Sequence, residues 1–197
     1  MDAHRLQTLL DRLPQVQIGV IGDFCLDVYW TLDMSASEVS LETGLPTRPV
    51  RKQSYSLGGA GNVVSNLTAM GVGTVQAFGV IGADPFGREL RRLLTEQEVV
   101  VEGLLVQDET WDTPSYVKPI SGEDEENRLD LGGFNHLSDK TATALLDSVR
   151  RALGELDLVI INQQLTHGIH TTFLQQELHQ LIHRLSDTLF LTDCRQG

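Results

Sequence analysis

The sequence predicts an α/β protein built on a doubly wound, mostly parallel sheet flanked by helices. Three observations lead there. Compact apolar runs at 16–23, 74–82, 157–162 and 188–193 have the composition of buried parallel strands. Segments with apolar residues at helical spacing lie between them. Strands alternating with helices of about ten to fifteen residues are the signature of βαβ units.

In chain order, Leu6, Leu9, Leu10 and Leu13 recur at helical spacing until Pro14, which predicts a short amphipathic helix. VQIGVIGD (16–23) reads as the first buried strand. After a polar stretch, VRKQSYSL (50–57) reads as an exposed strand. Val63, Val64, Leu67 and Met70 mark one face of a helix over 58–70, with Gly71 as its C-terminal cap. TVQAFGVIG (74–82) is the second buried strand, and ADPFG opens a helix carrying Phe86, Leu90, Leu93 and Leu94. A β-rich stretch covers 103–106, 115–120 and 127–131, broken by the acidic turn GEDEEN. Ser138 caps a helix that buries Leu145, Leu146, Val149 and Leu153. DLVIIN (157–162), a helix with Leu174, Leu178, Leu181 and Leu185, and TLFLTD (188–193) complete the alternation. The polar strands near 50–57 and 113–131 fall outside it. They read as a small separate sheet covering one end of the main one.

Charge and composition exclude several functions. With 27 acidic against 15 basic residues among 197, the net charge is −12, which argues against a sequence-independent nucleic-acid binder. An anionic substrate would need a local, preorganised pocket. No run approaches eighteen apolar residues and the N-terminus has no apolar signal core, so neither a membrane span nor a secretory signal is expected. Cys25 and Cys194 stand alone, with no disulfide scaffold or zinc ribbon, which fits a cytoplasmic location.

Two segments can carry chemistry. In LGGAGNVVSNLTAMG (57–71), adjacent glycines let the backbone approach a ligand, and the helix start points unpaired N–H groups at it. A tight strand-to-helix turn explains the same glycines. The dinucleotide fingerprint fails, because Gly59-x-Gly61-x-x is followed by Val64, and the Walker lysine pattern is absent. In GDFCLDVYW (22–30), Asp23 and Asp27 follow the first buried strand, at the end of the sheet where ligands bind. A carboxylate there can accept hydrogen bonds from two neighbouring hydroxyls, or can cap a turn. His179 and His183 are spaced as in a zincin helix, but Gln180 stands where the catalytic glutamate belongs and no third ligand is evident. No metal site is assigned. Glu123–Glu126 reads as a hydrated turn.

The order of these segments carries a resemblance. Gly22-Asp23 with Asp27, then Gly58-Gly59-Ala60-Gly61-Asn62 opening a helix, then GVIGADPFG (79–87), resembles the ribokinase-like (PfkB) carbohydrate kinase family. GDFCLDVYW and LGGAGNVVSNLTAMG are most similar to the kinase domain of its bifunctional heptose 7-phosphate kinase/adenylyltransferase branch. TPSYVKPISGEDEENRLDL resembles that branch's strand-turn-strand, with Lys118 and Arg128 at matching positions. The resemblance runs from about residue 16 to the end.

The resemblance implies a ribokinase-like sheet with a small β lid, its strands around 46–57 and 113–132, that closes over a sugar and contributes to a homodimer. It implies transfer of the γ-phosphoryl of ATP, with Mg²⁺, to a hydroxyl of a sugar or sugar phosphate. A heptose 7-phosphate-like substrate is favoured. Asp27 would hydrogen-bond the sugar hydroxyls, and Gly58, Gly59 and Asn62 would hold the substrate at the helix start. Lys118 and Arg128 would bind a substrate phosphate, or serve only lid solubility. Tyr29 and Trp30 would stack on a sugar ring or pack in the core or the lid.

Three departures stand out. The Asp-x-x-Gly-Ala-Gly-Asp run that holds the family's catalytic base occurs nowhere. The resemblance places it downstream of Gly197. Residues 1–197 are therefore expected to be the N-terminal, sugar-binding portion of one kinase domain, inactive alone, with the C-terminal part of the fold absent. INQQLTHG (161–168) sets Gln163, Gln164 and His167 where the branch carries an acid and a Lys-Gly pair. Val64 replaces a small residue. The competing expectation is a non-catalytic sugar-binding or regulatory module of the same fold. A dinucleotide-dependent oxidoreductase is set aside on its glycine spacing.

Overall fold

The structure is a computed structural model describing residues 2–184 and 188–195. Leu185, expected on the apolar face of the last helix, lies outside the described residues. The chain opens with α1 (Ala3–Leu10), β1 (Gln17–Gly22), β2 (Phe24–Leu32), β3 (Val50–Gly59) and α2 (Ala60–Ala69). Next come β4 (Thr74–Gly82), α3 (Pro85–Glu96), β5 (Val100–Gln107), β6 (Ser115–Ser121), β7 (Asp124–Glu125) and β8 (Leu129–Leu131). It closes with α4 (Asp139–Ala152), β9 (Leu158–Gln163), α5 (Thr172–Arg184) and β10 (Leu189–Cys194).

Strands that are apolar on both faces must be covered on both faces, and the main sheet meets that demand. Its order is β10-β9-β1-β4-β5, and every pairing is parallel. Consecutive residues of β1 point to opposite sides. Val20 packs with Ala60 and Val64 of α2 and with Leu90 and Leu94 of α3. Ile21 packs with Leu145, Leu146 and Val149 of α4 and with Leu174 of α5. Leu90, Leu94, Leu145 and Leu174 are fully buried, each contributing about 1.5–3 kcal/mol of transfer free energy. The caps also follow the sequence. Ser138 accepts from the Thr141 amide at 3.1 Å, and Asp84 accepts from the Gly87 amide at 2.8 Å. Gly71 takes a left-handed φ of 84° just past α2.

The second sheet has the order β3-β2-β6-β7, and β8 pairs the N-terminal half of β6 on the same edge that β7 pairs at its C-terminal end. β2 runs antiparallel to β3 and parallel to β6. Asp23 alone separates β1 from β2, so the chain passes from one sheet to the other in one residue.

Three details differ from the sequence expectation. Residues 24–32 form a nine-residue strand inside the second sheet, whereas the sequence alone marks them only as a segment following the first buried strand. The reason is a period-two pattern: Phe24, Leu26 and Val28 are buried in the core, while Cys25, Asp27 and Tyr29 take the other face. The 103–106 run belongs to β5, a fifth strand at the edge of the main sheet, so α3 is a βαβ crossover. Finally, α1 stops at Leu10, Pro14 lies in a separate 3₁₀ turn (Leu13–Gln15), and Leu6, Leu9 and Leu10 are exposed. Of that apolar set, Leu13 packs against the core.

Candidate functional site

The cleft lies where the two sheets meet, at the carboxyl end of β1. Strand register builds its floor. Asp27 of β2 sits opposite Tyr116 of β6 and Ser56 of β3, and Tyr29 sits opposite Lys118. Period two places Asp27, Tyr29, Tyr116 and Lys118 on the face away from the core. Lys118 donates to Asp27 Oδ1 at 2.7 Å, with Tyr29 Oη at 3.5 Å. Both partners are largely buried, their side chains 18% and 23% exposed for lysine and aspartate. Burial works to lower the Lys118 pKa, but the hydrogen bond and charge of Asp27, with Tyr29 adding, outweigh it and hold the ammonium above its ordinary value.

The glycine pair forms the facing wall. A Cβ on Gly58 would stand 3.0 Å from Asp27 Oδ2, so its absence opens the space beside that oxygen. Gly59 has φ of 55° and its Cβ would lie 2.3 Å from the Asp23 carbonyl oxygen, so this position demands glycine. Gly59 is the N-cap of α2 and offers no side-chain cap, which leaves first-turn amides facing the cleft end of the helix.

Asp23 has a different task. It is 2% exposed and its carboxylate accepts from the amides of Gln164 and Leu165, both at 2.9 Å, and of Ile169 at 2.8 Å. Its carbonyl accepts from the Ala60 amide at 2.9 Å. Asp23 thus staples the 164–169 loop to the start of α2. A Cβ on Gly168 would fall 2.1 Å from Asp23 Oδ1, which explains glycine there.

A cavity of about 220 Å³ is enclosed by Asp27, Gly58, Gly59, Tyr116, Arg128 and Gln164, with Cys25 and Arg195 completing it. Of the residues expected from sequence, Asp27, Gly58, Gly59 and Arg128 meet here, and Lys118 joins through Asp27. Arg128 lies 4.4 Å over the Tyr116 ring and forks onto Asp130 at 2.5 and 2.7 Å. Asn62 lies on the exposed side of the first turn of α2, outside this lining. Val64 is fully buried between α2 and the sheet, so that departure alters the core and not the cleft wall. Gln164 lines the cavity, whereas Gln163 and His167 line neighbouring ones. Tyr29 faces the Asp27 side, and Trp30 packs against the core.

Sequence reasoning missed Cys25, Tyr116 and Arg195. Alternation along β2 and β6 places the first two beside Asp27, and Arg195 follows the fourth apolar strand, at the end where ligands bind. Burial, then the charges of Asp23 and Asp27, push the Cys25 thiol well above its ordinary pKa. Among the described residues, no group of three or more His, Cys, Asp or Glu could hold a metal. His179 and His183 form an exposed pair, Nε2 to Nε2 at 3.0 Å, without a third ligand. Asp84 also ties its turn to the segment that leads into β6, accepting from the Thr113 amide at 2.7 Å.

Comparison with known proteins bears on the family and the fold. Residues 23–191 match the pfkB family carbohydrate kinase. Relatives include the bifunctional protein HldE of Desulfatibacillum aliphaticivorans, 33% identical over 165 residues, which span 84% of this chain and 33% of that protein. Another is the D-beta-D-heptose 7-phosphate kinase of Bordetella bronchiseptica, 28% identical over 152 residues, covering 77% of this chain and 46% of the relative. The chain thus spans about a third of the HldE proteins it matches and under half of that kinase. In fold it is similar to an uncharacterized sugar kinase from Pyrococcus horikoshii in complex with ATP, with TM-score 0.56 and 20% identity over 91% of this chain and 53% of that one. It is likewise similar to the ribokinase of Cryptococcus neoformans in complex with ADP, with TM-score 0.56 and 15% identity over 91% of this chain and 50% of that one. The ribokinase-like fold expected from the motifs is therefore the fold observed, and the chain belongs to the pfkB family of carbohydrate kinases.

Proposed function

We propose that residues 1–197 supply the sugar-binding portion of a kinase that phosphorylates a hydroxyl of a sugar phosphate resembling heptose 7-phosphate. The observation that carries this reading is the Asp27 carboxylate on the cleft floor. One oxygen is held by Lys118 and the other faces the space left by Gly58. A carboxylate fixed in that way can accept hydrogen bonds from adjacent hydroxyls, and the bonds are charge-assisted. On this reading Asp27 orients the acceptor sugar while Gly58 and Gly59 cradle it at the start of α2, and Asn62, exposed outside the cavity lining, meets only a sugar that extends past that lining. Lys118 holds Asp27 in place, and Lys118 and Arg128 contribute positive charge toward the substrate phosphate. The second sheet, with strands at 50–59 and 115–131 and β2 between them, acts as the lid.

ATP, as in the Pyrococcus neighbour, is the phosphoryl donor on this reading, and Mg²⁺ accompanies it. Among the described residues no group of three or more His, Cys, Asp or Glu is placed to hold that Mg²⁺. On this reading the catalytic base is supplied by the Gly-Ala-Gly-Asp run that the resemblance implies and that residues 1–197 do not contain. Without it, general-base assistance of about 10²–10⁴-fold is lacking, and the chain alone binds sugar without turnover. A cytoplasmic location is supported by two unpaired cysteines. A homodimer through the lid is supported by a 240 Å³ apolar groove that includes Trp30, Leu32, Val50 and Pro119. No described helix is long and apolar enough to cross a membrane.

Gln163 and Gln164, standing where the resemblance calls for an acid and a lysine, favour one second reading, a sugar-binding module without catalysis. Calorimetric titration of the chain with a heptose 7-phosphate tests the shared premise. The expected result is saturable binding that Asp27→Asn weakens by about 10–100-fold, the range for a hydrogen bond to a charged group. Equal affinity in both proteins contradicts the assignment of Asp27. Coupled ATP turnover by the full-length native protein separates kinase from module.

A further inference from the structure

The cavity around Asp27 does not end at Tyr116. A second cavity of about 290 Å³ adjoins it, and Tyr116, Gln164 and Arg195 line both. Resting on the reading of the cleft as a sugar site, we propose that this outer cavity takes the phosphate of the substrate, and that Arg195 selects a phosphorylated sugar over a neutral one.

Charge on the cavity walls is the first argument. The two carboxylates there, Asp27 and Asp130, are each held by a cation, Lys118 and Arg128 respectively. Among the described residues, no carboxylate forms an ion pair with Arg195, which lines both cavities. Its guanidinium is the surplus positive charge of the cleft, in a chain whose net charge is −12. Such an arrangement makes a local anion site on a surface that otherwise repels anions. The charge also reaches inward, where it lowers the pKa values of Cys25 and Tyr116 against the larger, opposing effect of burial.

Position is the second argument. Cys194, the last residue of β10, pairs with Gln163, and the Arg195 amide donates to the Gln163 carbonyl at 3.1 Å. The arginine therefore leaves the sheet at a fixed point, at the carboxyl end of its strand. Its fork of donors suits a phosphate bidentately. The same cavity is lined by Thr166 and His167, on the loop that Asp23 staples, and by Gly132 and Gly133. A Cβ at Gly133 would meet nothing within 4 Å, so the backbone there is open to a ligand. A sugar whose hydroxyls reach Asp27 can place a terminal phosphate in the adjoining space, because the two cavities share three wall residues.

The test compares wild type, Arg195→Met and Arg195→Lys by calorimetry with two probes, a heptose 7-phosphate and the same heptose without phosphate. Wild type is expected to prefer the phosphorylated sugar by about 10–100-fold, the range for one charged hydrogen-bonded contact. Arg195→Met should cut that preference by about tenfold, leaving what Lys118 and Arg128 supply, and leave the neutral heptose bound as before, and Arg195→Lys should fall between. A preference unchanged in Arg195→Met overturns the proposal, as does an equal loss for both probes, which would mark a purely structural role. Failure of wild type to bind either sugar overturns the sugar reading itself. Tight binding of both sugars without discrimination overturns only the role of Arg195.

Discussion

Lys118 and Asp27, 91 residues apart in sequence, meet across neighbouring parallel strands at 2.7 Å, on the one polar face of a sheet whose other face is core. The pair fixes the direction of the carboxylate in the cleft. It also sets a pH dependence. Asp27 raises the folded-state pKa of Lys118, so the pair stabilises the fold fully below the unfolded lysine value and loses that contribution as pH rises through the folded value. Unfolding free energy measured by urea is therefore expected to show a constant difference between wild type and Lys118→Met from pH 6 to 9. The difference should shrink above about pH 10.4. A difference that vanishes near neutral pH contradicts the pairing.

Asp23 carries more of the fold than of the chemistry. Asp23→Ala leaves three amides without their acceptor, each costing about 1–3 kcal/mol if water cannot replace it. The expected loss is about 3 kcal/mol or more, with cleavage by a nonspecific protease moving to 164–169. Asp23→Asn should recover part of the stability. A loss below 1 kcal/mol for Asp23→Ala, read from chemical denaturation, would remove the staple.

The neighbouring glycines should separate stability from binding. Gly59→Ala places a Cβ 2.3 Å from backbone at a left-handed φ, so a large fall in melting temperature is expected. Gly58→Ala meets only the Asp27 carboxylate and the Cys25 edge at 3.0 Å and beyond. It should melt near wild type yet bind sugar poorly. Thermal melts beside calorimetry check both.

The two cysteines should differ in reactivity. Cys25 is buried, with its thiol pKa pushed up, whereas Cys194 is exposed. Iodoacetamide at pH 8 is expected to label Cys194 and spare Cys25 until the protein unfolds. Mass spectrometry of the peptides reads the outcome, and rapid labelling of Cys25 in the folded protein would contradict its burial.

Much of this was legible in the sequence. The four apolar strands, the caps at Ser138 and Gly71, and the glycine turn before α2 follow from local chemistry and appear where expected. β2 was hidden because its buried residues alternate with polar ones immediately after an apolar run, so Gly22-Asp23 reads as an ending when it is a crossing between sheets. The role of Asp23 was illegible for another reason. Its three partners lie more than 140 residues away, and no spacing rule connects them. Arg195 gave no signal as a lone basic residue, and only the pairing of β10 with β9 brings it beside Tyr116 and Gln164.

The most direct test of the central claim is a map of amide chemical shifts in the isotope-labelled chain as a heptose 7-phosphate is added. The account predicts saturable changes at Gly58, Gly59, Tyr116, Gln164 and Arg195, all on the cavity wall, without any need for ATP. Changes confined to other surfaces, such as the exposed histidines of α5, or none at all, would contradict a sugar site in this cleft.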